Sequence, residues 1–177
     1  MAGNALANAI GKKGTVYVSN VKPGISTTDQ REEGFKAAMA NYPDITVLET
    51  QFNDDDANKA SAQVNAVVAR APDLAGIFGA NLFSAIGSAD GVKAMGKSGE
   101  IKVVAFDAPT RIVDDLKSGL VDMAIAQHPA EIGYMGVMVA FGHVTGNPVP
   151  VSVGTGFTVM TADNIDDPDI SKYVYSD

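Results

Sequence analysis

Short apolar, β-branched runs alternate with longer alanine-rich stretches along most of this chain. Thr15-Val16-Tyr17-Val18, Gly76-Ile77-Phe78, Met123-Ala124-Ile125-Ala126 and the runs at 45–48 and 101–106 are each too short for a helix and too uniformly apolar for a one-sided strand. Between them the apolar positions recur at helical spacing over 27–42, 56–70, 84–96, 109–118 and 130–146, and residues 4–10 read as the tail of one more helix. Turn residues punctuate the change of period, as in Asn41-Tyr42-Pro43-Asp44 and Ala71-Pro72-Asp73. Strands buried on both faces and alternating with helices predict an α/β fold, a doubly wound open parallel sheet. In such sheets ligands bind beyond the carboxyl ends of the strands, so the residues just after each strand carry the functional question. The rhythm breaks at 147–159, which reads as a turn followed by one or two extended strands, and an acidic tail follows.

Composition narrows the chemistry. At 177 residues the chain holds one well-buried domain. A formal charge of −8 with scattered Lys and Arg excludes a phosphate-binding face of the kind nucleic acid requires, so no nucleic-acid partner is expected. The absence of cysteine excludes disulfides, thiolate nucleophiles and thiolate metal sites. No apolar run reaches the length of a membrane span, so no membrane insertion is expected. The start, Met1-Ala2-Gly3-Asn4-Ala5-Leu6, lacks the basic and apolar regions of an export signal.

Four strand ends offer polar side chains to one rim. After the first strand, a Ser/Thr-rich turn (Lys22 to Thr28) is expected to cap a helix with Asp29, Glu32 and Glu33 in its early turns, and Arg31 stands there within reach of the strand ends. Read alone, Arg31 is equally a solvated arginine paired with a nearby carboxylate. Asn81 follows Gly79-Ala80 and suits either a helix cap or an amide contact to a polar ligand. Asp107 follows Phe106 and could be a cap, a nucleophile, a metal ligand or an acceptor for hydroxyls; Gln127 ends the last of these strands. Arg, Asn, Asp and Gln together suit hydrogen bonding to hydroxyls better than proton transfer. Enzyme signatures fail individually. Gly154-Thr155-Gly156 has no helix after it, His128 and His143 are isolated, and no nucleophile elbow or phosphate loop occurs. The run Asp54-Asp55-Asp56 lacks the glycine and closing glutamate of a calcium loop and reads as the cap of the next helix. No cofactor and no metal are expected.

Arg31-Glu32-Glu33-Gly34-Phe35, Gly79-Ala80-Asn81, Ala105-Phe106-Asp107 and Ile125-Ala126-Gln127-His128-Pro129 occur in an order and spacing that resembles the second, carboxy-terminal lobe of periplasmic sugar-binding proteins of the ribose-binding-protein type. The resemblance extends to Val159-Met160-Thr161-Ala162-Asp163-Asn164. It implies a sugar-binding, non-enzymatic component of an ABC-type importer, with ligand contacts at Arg31, Asn81, Phe106, Asp107 and Gln127 and apolar contact from Phe83. Where ribose-type relatives carry an aromatic, this chain has Asn53-Asp54-Asp55 beside Phe52. That difference leaves the sugar open among monosaccharides and polyols.

The same resemblance implies a division into 1–127 (second lobe), 128–156 (a crossover helix and strand that belong with the first lobe) and 157–177 (return strand and acidic tail). The first lobe is expected to precede Ala2 and to be missing here, so the fragment would carry half of a ligand cleft. The full-length parent would be periplasmic and would engage an ABC permease. A LacI-type sugar-responsive repressor shares this fold and is the alternative; an α/β enzyme using Asp107 lacks a partner base. Residues 130–146 are apolar around nearly their whole circumference, and a homodimer through 130–153 is therefore expected.

Overall fold

The computed structural model describes residues 1–175. Its elements follow the predicted order: α1 (Ala2–Ala9), β1 (Gly14–Asn20), α2 (Ser26–Met39), β2 (Ile45–Val47), β3 (Gln51–Phe52), α3 (Ala57–Arg70), β4 (Leu74–Gly79), α4 (Leu82–Ala94), β5 (Lys102–Phe106), α5 (Thr110–Lys117), β6 (Met123–Gln127), α6 (Pro129–Val144), β7 (Phe157–Met160) and α7 (Pro168–Ser171). The two-residue β3 and the one-turn α7 are too short to leave a periodic signal in the sequence. The segment 147–156 holds no strand, and the extended structure expected there is confined to β7.

The sheet runs β2-β1-β4-β5-β6-β7, with β3 continuing alongside β1. All pairings are parallel except β6–β7, where the returning strand runs antiparallel. The chain winds one way from β1 to β2 and the other way from β4 to β6, so the order reverses between β1 and β4. At such a reversal the connecting helices lie on opposite faces and leave a crevice at the carboxyl ends.

Alternation along each strand divides the core in two. Tyr17, Ile77, Val103, Ala105, Ala124 and Ala126 face the helices α3, α4 and α5, meeting Val64, Val67, Ala85, Ala89, Val92, Ile112 and Leu116. Their neighbours Val16, Val18, Phe78, Val104, Phe106 and Ile125 face α1 and α2, meeting Leu6, Ala7, Phe35 and Met39. Phe35 stacks on Phe78 with centroids 5.1 Å apart, which seats α2 against the centre of the sheet. The helix α6 takes no part: none of its residues is buried.

Local chemistry explains the helix starts. Asp56 caps α3, its carboxylate accepting from the amides of Asn58 (2.7 Å) and Lys59 (3.2 Å) as expected. The start of α2 differs from expectation, because no side chain caps it. Asp29 instead reaches back and accepts from the amide of Gly24 at 2.9 Å, tying the preceding turn to the helix.

The pair α3–α4 packs unusually closely. A Cβ at Gly87 would lie 2.2 Å from the carbonyl oxygen of Ala57 and 2.5 Å from the Cβ of Ala60, atoms that cannot swing aside. Gly87→Ala gains roughly 1 kcal/mol of helix propensity but forces the helices apart, which costs about 1–3 kcal/mol. The expected outcome in urea denaturation is a net destabilised variant with an unchanged slope; a more stable protein would show that the helices separate freely.

Candidate functional site

The carboxyl edge of the sheet gathers the predicted residues from distant parts of the chain. Arg31 stands in the second turn of α2 and turns back over the edge. Its Nη1 donates to the carbonyl of Ala80 at 2.9 Å, and its guanidinium lies 3.6 Å above the ring of Phe106. It makes no ion pair with Glu32 or Glu33, the bland alternative open from the sequence; Glu32 pairs with Lys36 instead. Burial pulls the guanidinium down from its ordinary value, and the nearby Asp107 and Tyr175 oppose that. The group stays charged while losing much of its water, and a desolvated cation on an aromatic face interacts more strongly than an exposed one.

Phe106, 4% exposed, closes β5 and also meets Phe157 of β7 edge-on, with centroids 5.6 Å apart. Asp107 comes next with φ = 80°, a left-handed conformation uncommon outside glycine. Aspartate tolerates that region better than most residues, and strained backbone at a strand end points a side chain where regular structure would not. Gln127 Nε2 donates to Asp107 Oδ1 at 2.7 Å, joining the ends of β5 and β6.

Asn81 takes the capping role that its sequence position allowed. It is the N-cap of α4, its Oδ1 accepting from the amide and hydroxyl of Ser84, while Nδ2 donates to Asp55 Oδ1 at 2.6 Å. Phe83 lies in the first turn of α4 and is exposed. Asn53 is fully buried and donates to Ser19 and Ser84 at 3.1 and 2.7 Å, so it braces the edge from below.

Three features of this edge left no sequence signal. Asp55 joins Asn81 although only Asp56 of the acidic run caps the helix. His128 accepts or donates on both sides of the chain's exit and return, 3.0 Å from Glu131 and 2.8 Å from Thr158, and stacks on Tyr173 at 3.7 Å. Tyr175 puts its hydroxyl against the turn after β5, where the amide of Ala108 donates to it at 3.3 Å. Apart from His128–Glu131, these contacts join residues far apart in sequence and follow from no local pattern.

A cleft of about 400 Å³ opens beside the rim, lined by Arg31, Phe35, Phe78, Phe106, Gln127 and Phe157 among others. Apolar walls with a few convergent polar groups suit a small organic ligand. A separate hollow of about 530 Å³ runs between α6 and residues 149–155. Its lining is mostly aliphatic, and none of the rim residues reaches it. The predicted residues bring a cation, a carboxylate and two side-chain amides to this edge, and Asp55 adds a second carboxylate through Asn81.

The family model described as a periplasmic binding protein domain matches residues 1–148. The chain is 31% identical over 161 residues to the ribose import binding protein of Haemophilus influenzae, covering 91% of this chain and 54% of that protein. It is also 31% identical over 126 residues to the D-ribose/D-allose-binding protein of Pseudomonas aeruginosa, covering 70% and 39% of the two chains. Among solved structures, an ABC transporter solute-binding protein from Agrobacterium vitis bound with α-D-tagatopyranose superposes with a TM-score of 0.98 at 65% identity, over 99% of this chain and 59% of that one. A second solute-binding protein from Agrobacterium vitis, with bound D-fucose, superposes with a TM-score of 0.93 at 26% identity, over 98% and 60%. The chain spans about half the length of the curated relatives it matches. These relatives are sugar-binding transport proteins rather than enzymes.

Glu32 supplies a test of how the rim is anchored. It accepts from Asn20 (2.7 Å), Lys36 (2.6 Å) and Thr50, which ties α2 and therefore Arg31 to the ends of neighbouring strands. Burial pushes this carboxyl up, but the three hydrogen bonds outweigh it and the net shift is downward. A depressed folded-state pKa means the stabilisation is fully present above the ordinary glutamate range and is lost as pH falls through the depressed value. Urea midpoints measured at decreasing pH below 5 should therefore fall less steeply in Glu32→Gln than in the wild type; parallel curves would remove Glu32 as an anchor.

Proposed function

This chain belongs to the periplasmic binding protein family, and on that premise we propose that it is the second, sugar-gripping lobe of the solute-binding component of an ABC-type importer. The observation that carries the proposal is the rim itself: Arg31 fixed over Phe106, Asp107 bonded to Gln127, and Asn81 at the head of α4, all on one sheet edge. Arg and Asp engage vicinal hydroxyls two at a time, and hydrogen bonds to charged groups are the stronger kind. The ligand is a monosaccharide. D-Tagatose is the first to test, because a neighbour sharing 65% of the sequence was bound with it. The protein acts by binding and transfer to a permease, without catalysis, and the longer protein works in the periplasm.

Residues 1–127 and 157–177 form the lobe in this reading, of which 176–177 lie outside the described residues, and 128–156 pack with the family's other lobe. One lobe covers one face of a sugar, whereas ligand sites normally bury most of the ligand's surface. The chain alone is therefore expected to bind D-tagatose weaker than micromolar in calorimetry. In a two-lobed protein that carries this chain as its second lobe, Asp107→Ala and Arg31→Ala should each weaken binding by about 1.5–3 kcal/mol. Unchanged affinity in both variants would remove the site assignment.

The chain by itself also self-associates in this proposal, as a homodimer through 130–153. Tyr134, Val137, Phe141 and Val144 of α6 are each more than half exposed, and Ile132 and Met138 nearly so. At ~25 cal/mol per Å² of apolar surface, covering several such side chains is worth several kcal/mol, enough to associate at micromolar protein. Gel filtration with light scattering is the check, and a clean monomer of 18.3 kDa across the micromolar range would sink the idea.

A further inference from the structure

The three consecutive aspartates after β3 serve different partners. Asp56 caps α3, and Asp54 pairs with Lys59. Asp55 does neither: among the described residues no cation pairs with it, and its Oδ1 accepts from Asn81 Nδ2 at 2.6 Å. The backbone places it there at a conformational cost. Asp54 and Asp55 are both left-handed, with φ of 55° and 64°, a region that residues other than glycine rarely occupy in succession. The fully buried Asn53 fixes this loop, its Oδ1 accepting from the Asp55 amide at 2.9 Å and its carbonyl from the Asp56 amide at 3.1 Å. A continuous line of contacts then runs along the strand ends. It passes from Gln127 and Asp107 through Arg31 on the Phe106 ring to the carbonyl of Ala80, and so to the neighbouring Asn81 and to Asp55.

We propose that Asp55 is a further ligand-contacting residue of the sugar site, a second carboxylate that accepts from sugar hydroxyls at the β4 end of the rim. This rests on the reading of the rim as a sugar site. Acceptors are what that end otherwise lacks. The Oδ1 of Asn81 already receives the amide and the hydroxyl of Ser84, so Asn81 offers a ligand only its Nδ2 donors. A sugar hydroxyl both accepts and donates, and one that accepts from Asn81 still has its own proton to place. Asp55 is exposed at this edge, and its Oδ2 has no partner among the described residues. A carboxylate is also a stronger acceptor than a neutral oxygen. With Asp107 at the end of β5, the rim then holds one charged acceptor on either side of the point where Arg31 meets Ala80, and it selects a neutral sugar with hydroxyls toward both.

The test is a titration of the isotope-labelled chain with D-tagatose into the millimolar range, read by amide chemical shifts, with thermal midpoints measured for each variant. In the wild type, amides at the ends of β4, β5 and β6 should respond. Asp55→Asn keeps the size, the tolerance of left-handed backbone and an oxygen for Asn81, and loses the charge. It should raise Kd about tenfold, the worth of one hydrogen bond to a charged group, at an unchanged thermal midpoint. Asp54→Asn, next to it but paired with Lys59, should bind like the wild type. An Asp55→Asn variant with wild-type affinity overturns the contact, because asparagine replaces a carboxylate that merely holds Asn81. Equal weakening by Asp54→Asn overturns it as well, since the charge of the run and not a contact at Asp55 is then responsible. A wild type whose strand-end amides never respond overturns the sugar site, and the role of Asp55 with it.

Discussion

In a parallel sheet every strand points the same way, so every crossover returns the chain to one edge and every strand ends at the other. Here that geometry brings Arg31, Asn81, Asp107 and Gln127 onto one rim with no contact between them needed during assembly. What folding must supply is the sheet and its two helical covers. These are secured by the period-two alternation that sends Tyr17 and Ile77 to one cover and Val16, Val18 and Phe78 to the other. The rim then follows from topology. Only its orientation remains to be set by specific contacts, of which the guanidinium of Arg31 between the Ala80 carbonyl and the Phe106 ring is the most demanding. It is a charge taken partly out of water, and a carbonyl and an aromatic face receive it.

Most of the architecture was legible because it rests on local periodicity. Strands buried on both faces read as continuous apolar runs and helices as 3.6-residue repeats, and the elements fall where those patterns lie. The exceptions have physical reasons. Two residues of β3 and one turn of α7 carry no period, and the antiparallel return of β7 is a matter of tertiary pairing. At the start of α2 the Ser and Thr residues looked like caps, yet Asp29 does the tying by bonding backward to Gly24. On the rim, residue type and position at a strand end singled out Arg31, Asn81, Asp107 and Gln127. The partners of Asp55, His128 and Tyr175 were not legible, because Asn81, Thr158 with Tyr173, and Ala108 lie far from them in sequence.

The helix α6 illustrates how composition and context separate. An all-round apolar helix belongs in a core, but the sheet has no free face near it: β6 is already paired with β7, and Ala124 and Ala126 are covered by their own helices. The core of the lobe contains no residue of α6, and its apolar side chains stay exposed. Its return segment 149–155 borders it without burying it. The buried core and the largest exposed apolar helix thus lie in different parts of one chain.

The strained Asp107 ties these threads together. A left-handed aspartate costs conformational energy that a helix cap or a regular turn would not, and strain of that kind persists only where surrounding contacts over-determine it. Here Gln127 from the neighbouring strand bonds the side chain, the Asp107 amide donates to the carbonyl of Ile125, and the next residue, Ala108, is tied to the tail at Tyr175. Backbone and side chain of this strand end are therefore both fixed by tertiary contacts, with little left to local sequence. The acidic tail adds to this from the far end of the chain: its pairing at Pro109 and Ala108 closes the turn that follows Asp107.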